Sequence, residues 1–279
     1  MAIFGKLAFD AGVSTLTLLF VRFALATAIF TIVLAVRPSL AASLRGAGGR
    51  ALAVGFGLGA IGYATQAGLF FAALQRLDAS LLALVLYTYP AWVMLGSLAL
   101  GREQPTRRRV LALALSSAGL VVLLAGASAG AVDAVGLALG IGASLAYTLY
   151  ILVADRAGLD IPPLALTALV CVGAMCTLGI AGVASGSLSL ALSAEAWMWL
   201  GLIAVVSTAV PIVAFFAGLA RVGPSTAAIL SSFEPVVTVA LAYLAFSEVL
   251  SGVQLVGAAL VLGAAVLLAT PVGAPAPPD

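Results

Sequence analysis

The chain has 279 residues, of which 64% are apolar and 8% charged, with a formal net charge of +2. Soluble domains carry about 25% charged residues, so this composition cannot cover a water-facing surface and defines an integral membrane protein. Its apolar runs are continuous rather than alternating, which predicts an all-α architecture. The few arginines are scattered in short loops without interleaved aromatics, so no nucleic-acid partner is expected.

Along the chain, the opening run Met1–Phe9 stops at Asp10 and carries Lys6 in its middle. At about 1.5 Å per residue it reaches less than half of a hydrocarbon core of about 30 Å. Nine longer segments follow, at 14–36, 51–74, 79–100, 110–126, 134–154, 162–185, 196–219, 223–246 and 251–270. Cys171 and Cys176 share one of these runs on different helix faces, and the chain has no histidine, so neither a disulfide nor a metal site is expected. No cleavable leader is evident, because the first run lacks a basic front and a prompt small-residue cleavage site. The tail 271–279 is proline-rich and is expected to be disordered.

Arginine placement gives an orientation. Counting the opening run as a helix with a cytoplasmic start puts Arg37, Arg45, Arg50, Arg102, Arg107, Arg108, Arg109, Arg156 and Arg221 on the cytoplasmic side. Arg76 alone falls opposite, with Asp10, Asp78, Asp133, Glu195 and Glu248. The C-terminus is then cytoplasmic. Alanine richness and the near-exclusive use of arginine as the basic residue point to a bacterial inner membrane.

The sequence also repeats itself. Residues 70–103 align without a gap to 215–248, so that Phe70, Phe71, Arg76, Pro90 and Glu103 recur as Phe215, Phe216, Arg221, Pro235 and Glu248. The units are 1–126 and 133–270, each of five helices if the opening run counts as one. Five is odd, so the second copy inserts upside down, as in inverted-repeat transporters whose sites lie between the halves. Laying the second copy on the first predicts that Met1–Asp10 is the outer half of a truncated first helix, about 13 residues short of a full span.

The stretches "GVSTLTLLFVRFALA", "YTYPAWVMLGSLALGRE" and "FEPVVTVALAYLAFSE" resemble the EamA-type ten-helix family of the drug/metabolite transporter superfamily. The resemblance implies a 5+5 inverted-repeat permease with a central cavity, many relatives being exporters of amino acids and other small metabolites.

Charges inside spans usually face a cavity or a partner. Glu234 lies about 16 Å into its span, near the midplane, and is a candidate proton site or partner for a substrate ammonium; a structural ion pair or a protonated acid is the alternative. Lys6 either snorkels outward or meets a substrate carboxylate. Arg22 reads as a structural anchor. Two cations and one anion favour a zwitterionic or anionic cargo. Tyr63, Gln66, Tyr87, Tyr89, Tyr147 and Ser231 are further cavity-wall candidates, with interhelical bonding or a headgroup position as the alternative for each. Tyr150, Ser207 and Thr208 have the same character. Gly55, Gly59 and Gly62 fall with Tyr63 and Gln66 on one face, letting a neighbour approach. Pro90 and Pro235 each remove a backbone donor and should bend their helices at matching places.

The function expected is a secondary-active or facilitative permease for small polar metabolites, with the bilayer and a small solute as partners and no cofactor. No phosphate-binding G-x-x-x-x-G-K-[ST] loop is present, so direct ATP drive is not expected. A non-transporting receptor or assembly subunit is the alternative. An intramembrane enzyme would need acids, bases or ligands converging at one depth, and the chain offers no such set.

Overall fold

A computed structural model describes residues 1–100, 106–125, 132–157, 161–218, 221, 233–247 and 249–269. Glu103, Ser231, Glu248, the side chains of Glu234 and Pro235, and the tail 271–279 lie outside the described residues. The described residues form helices α1 (Ala2–Asp10), α2 (Thr15–Val36), α3 (Pro38–Gly46), α4 (Gly49–Leu74), α5 (Ala79–Leu86) and α6 (Tyr89–Ala99). They continue with α7 (Arg107–Ala125), α8 (Ala134–Ala157), α9 (Pro163–Ala184), α10 (Ala194–Gly218), α11 (Phe233–Phe246) and α12 (Gly252–Ala269). Among the described residues, six helical segments are long and apolar enough to cross a membrane: α2, α4, Ala79–Gly96, Ala134–Asp155, α9 and Ala194–Gly218. Of the remaining expected spans, 110–126 and 251–270 overlap α7 and α12, and the described part of 223–246 is α11.

Within the expected span 79–100, which stays one membrane-length segment over Ala79–Gly96, the helix breaks at Tyr87 and Thr88 into α5 and α6. The proline ring at Pro90 offers no N–H to the carbonyl four residues back, and the chain compensates with tighter turns, Thr88 N–H donating to Val85 O at 3.2 Å. The stretch from Arg37 to Arg50 is not simply a loop, because α3 forms there with Pro38 at its start, where a missing N–H costs nothing. Pro235 stands third in α11, much as Pro90 stands second in α6.

Helix α2 packs on α9, α4 on α8 and α9, α6 on α8, α5 on α11, α1 on α10, and α7 on α12. The crossing of α4 and α9 is a backbone contact. A Cβ on Gly59 would stand 2.0 Å from the Val170 carbonyl oxygen, and one on Gly173 would stand 2.2 Å from that of Phe56. Without a hydrophobic drive between helices in lipid, such close approach is what dispersion forces reward. Each of α4 and α10 also carries a wider turn, Leu58–Tyr63 and Val205–Ala209, in which the hydrogen bonding slips to the fifth residue. Thr208 shows the register directly, its hydroxyl donating to the Ile203 carbonyl at 2.9 Å.

Contacts near the helix ends fall into two groups. At one end, Ser14 and Thr17 hydroxyls donate to the Ser187 carbonyl at 3.0 and 3.2 Å, and Arg76 pairs with Asp133 at 3.1 Å. Asp133 also caps α8, accepting the Gly136 N–H at 2.7 Å. That bond first, and the Arg76 guanidinium second, hold its carboxyl below the usual range. What the pair contributes is therefore present above the ordinary carboxylate range and lost as pH falls through the depressed value. At the other end, Arg108 Nε donates to the Leu267 carbonyl and α3 packs on α9. Arg76, the one arginine against the charge pattern, is thus neutralised where it stands.

Replacing Gly59 or Gly173 with alanine should lower thermal stability in detergent by the equivalent of about 1–3 kcal/mol or more, since backbone must move to admit the methyl group. Gly68→Ala, where nothing lies within 4 Å of the added carbon, should be neutral or slightly stabilising. Equal melting temperatures for all three would show that the close crossing is not what holds α4 on α9.

Candidate functional site

Five of the six tyrosines lie on one continuous line of rings, while Tyr243 lies outside it and is largely exposed. Starting from Phe23 on α2, the line passes to Tyr63 on α4 at 5.5 Å between centroids, then to Tyr150 on α8 at 5.6 Å. Tyr150 stacks on Tyr147 at 6.0 Å, one helical turn away on the same face. Tyr147 meets Tyr89 on α6 at 4.7 Å, and Tyr89 meets Tyr87 at 5.5 Å. Phe215 and Phe216 on α10 close the far side against Tyr147 and Tyr150 at 6.3 and 6.4 Å. Mostly edge-on geometry lets each ring's positive rim meet its neighbour's negative face, contributing about 0.5–1.5 kcal/mol per pair beyond burial. The line joins helices from both sequence halves.

Four of the cavity-wall candidates, Tyr63, Tyr87, Tyr89 and Tyr147, are therefore neighbours in space. Tyr87 and Tyr89 are buried, whereas Tyr63 and Tyr147 are partly exposed. Gln66 is buried one turn beyond Tyr63. The hydroxyl of Tyr150 is buried with no hydrogen-bond partner among the described residues. Beside the tyrosines, Thr88 and Ser144 hydroxyls share a bond of 3.1 Å, and Thr148 donates to the Ser144 carbonyl at 2.9 Å. This hydroxyl group was not anticipated, although Ser144 and Thr148 lie four apart and so share a helix face. Thr148 also reaches the Tyr89 carbonyl at 3.5 Å, serving the backbone next to the break before α6.

Lys6 lies apart from the line, its ammonium 3.8 Å from Asp78 and 5.3 Å over the ring of Phe246. Glu234 falls within α11, its side chain outside the described residues. Arg22 is wholly buried. Its guanidinium stands 4.4 Å from the ring centre of Phe23, 5.4 Å from Phe71 and 5.9 Å from Tyr63, and Nη1 donates to the sulfur of Met1 at 3.2 Å. Cation–π attraction in a desolvated setting supplies about 2 kcal/mol, while dehydrating the ion costs several. Nε and Nη2 find no acceptor among the described residues.

The two phenylalanine pairs of the sequence repeat thus have different neighbours. Phe71 borders Arg22, with Phe9 edge-on against it at 6.1 Å, whereas Phe215 and Phe216 border tyrosines.

An all-helical bundle with long lipid-facing spans and a polar aromatic interior is the build of a multi-pass membrane transporter. The sequence matches the EamA-like transporter family over residues 1–125 and 134–270, and the chain belongs to that family, within the drug/metabolite transporter superfamily. A protein of Archaeoglobus fulgidus described as an uncharacterized transporter is 31% identical over 214 residues, spanning 76% of this chain and 74% of that protein. A solved crystal structure, 21% identical, superposes with a TM-score of 0.66 over 95% of this chain and 93% of its own. At that identity it supports the fold alone.

Tyr150→Phe removes a hydroxyl that makes no hydrogen bond among the described residues, so it should leave thermal stability unchanged or slightly raised. Tyr150→Ala should cost about 3–5 kcal/mol through the cavity it opens. A large loss for the phenylalanine variant, measured by unfolding in detergent, would reveal a partner for that hydroxyl.

Proposed function

We propose that this protein is a secondary-active or facilitative permease of the bacterial inner membrane that exports small polar metabolites such as amino acids. Its working body is a pair of five-helix units, residues 1–126 and 133–270, related by inversion, with the C-terminus cytoplasmic. The packing partners support this pairing. Exchanging each helix for its repeat counterpart returns several of the same contacts: α2 with α9, α5 with α11 and α7 with α12 map onto themselves, and α4 with α8 maps onto α1 with α10. The widened turns agree, because Leu58–Tyr63 shifted by the repeat's 145 residues overlaps Val205–Ala209.

The observation that carries the reading is the line of tyrosines bridging the two units. Tyrosine offers an apolar face and a hydroxyl that donates and accepts, which suits a wall that must release what it binds. Tyr63, Gln66, Tyr87, Tyr89 and Tyr147 form that wall, Ser231 and Glu234 complete it from the second unit, and Lys6 stands at its outer mouth. Glu234, alone among the acids in lying within a span near its middle, is the proton-coupling residue.

Cells carrying the protein should release one or more amino acids faster than cells without it, and purified protein in liposomes should support their counterflow. Glu234→Gln should abolish the dependence of that flux on pH. An unchanged flux and pH profile would remove Glu234 from the mechanism, and no movement of amino acids, sugars or amphipathic toxins would remove the permease reading.

A further inference from the structure

We propose that Arg22 is an anion receptor within the bundle, taking a carboxylate of the cargo on the edge formed by Nε and Nη2. This rests on the permease reading and adds the chemical class of the solute. A guanidinium stays charged at any physiological pH. Here it is wholly buried, and no carboxylate forms an ion pair with it among the described residues. Among the described residues, Nη1 donates to the thioether of Met1, a weak acceptor, and the Tyr63 side chain lies close by as a further polar neighbour. The two nitrogens left without acceptors, Nε and Nη2, are not a random pair. They share one side of the planar guanidinium and point two parallel N–H groups the same way, the fork that matches the two oxygens of a carboxylate.

The surroundings supply an approach. The rings of Phe23 and Phe71 hold the cation, and Tyr63 touches both the cation and Tyr150. Tyr150 leads to Tyr147, which is partly exposed. Tyr63 is also the last residue of the widened turn in α4, where the backbone register has already slipped. A rotation of Tyr63 uncovers the fork to a solute resting on Tyr147 and Tyr150. The apolar remainder of the solute lies on the tyrosine faces while its carboxylate neutralises Arg22. A buried charge with a vacant fork therefore becomes complementary to an anionic group and unfavourable toward a neutral analogue, which leaves the fork unfilled.

Matched acids and amides test this with the full chain in detergent: L-leucine against L-leucinamide, L-phenylalanine against its amide, and benzoate against benzamide. At least one acid should raise the melting temperature while its amide does not. Arg22→Lys, which keeps the charge and loses the fork, should weaken that acid by roughly tenfold to a hundredfold in half-saturating concentration. The comparison in the unaltered protein stands even if an Arg22 variant fails to fold.

Equal responses to acid and amide, no response to any acid, or undiminished acid binding by Arg22→Lys would overturn the proposal. So would acid binding that appears only in Glu234→Gln, since the fork would then belong to the chain's own carboxylate. Counterflow of leucine and leucinamide alike would overturn it and leave the permease reading standing. Acid-selective binding without counterflow of any solute would sustain it and remove the permease reading.

Discussion

Lipid solvates nothing polar, and every feature of this structure follows from that restriction. Backbone groups are satisfied within helices, and hydroxyls on those helices bond back to carbonyls of the preceding turn, as Thr31 does to Thr27, Thr148 to Ser144 and Thr167 to Pro163. Large apolar side chains such as Ile32, Ile61, Leu149, Ile180 and Val210 can remain exposed because the hydrocarbon receives them. The polar remainder is drawn inside the bundle. Burial of Arg22 and the gathering of five tyrosines are two expressions of the same exclusion.

Close packing then decides where those groups meet. Gly59 and Gly173 let α4 and α9 touch through backbone atoms. The widened turn that contains Gly59 rotates the rest of α4, so that Gly55 faces Leu166 and Leu169 of α9 while Gly62 faces Tyr150 of α8. That rotation sets Tyr63 between Arg22 and Tyr150. Small residues in one place thus position the aromatic groups in another, and the break before α6 brings Tyr87 and Tyr89 into the same line.

Much of this was legible in the sequence. Hydropathy locates the six membrane-length spans among the described residues to within a few residues because helices in lipid must be long and apolar throughout. The same uniformity hides rotational phase: a run apolar on every side does not say which face turns inward. Tyr63, Tyr87, Tyr89 and Tyr147 could therefore be named one by one, but not as a connected line, and Tyr150 stood no higher than its neighbours. Pro90 announced a bend, yet the rupture falls at Tyr87 and Thr88, where the missing donor is felt. The arginine-rich stretch after α2 hid α3, since charge there reads as a loop. Arg22 read as an anchor, and only packing shows which of its nitrogens are left over.

The proposed function requires two halves lying antiparallel in the bilayer around a shared interior. Cysteines placed singly at Arg107 and at Ser251, both exposed positions, in a chain with Cys171 and Cys176 replaced, would report the sides directly. A membrane-impermeant thiol reagent should reach position 107 only from the cytoplasm and position 251 only from the opposite compartment. Labelling of both from one compartment would contradict the inverted arrangement and the transport mechanism built on it.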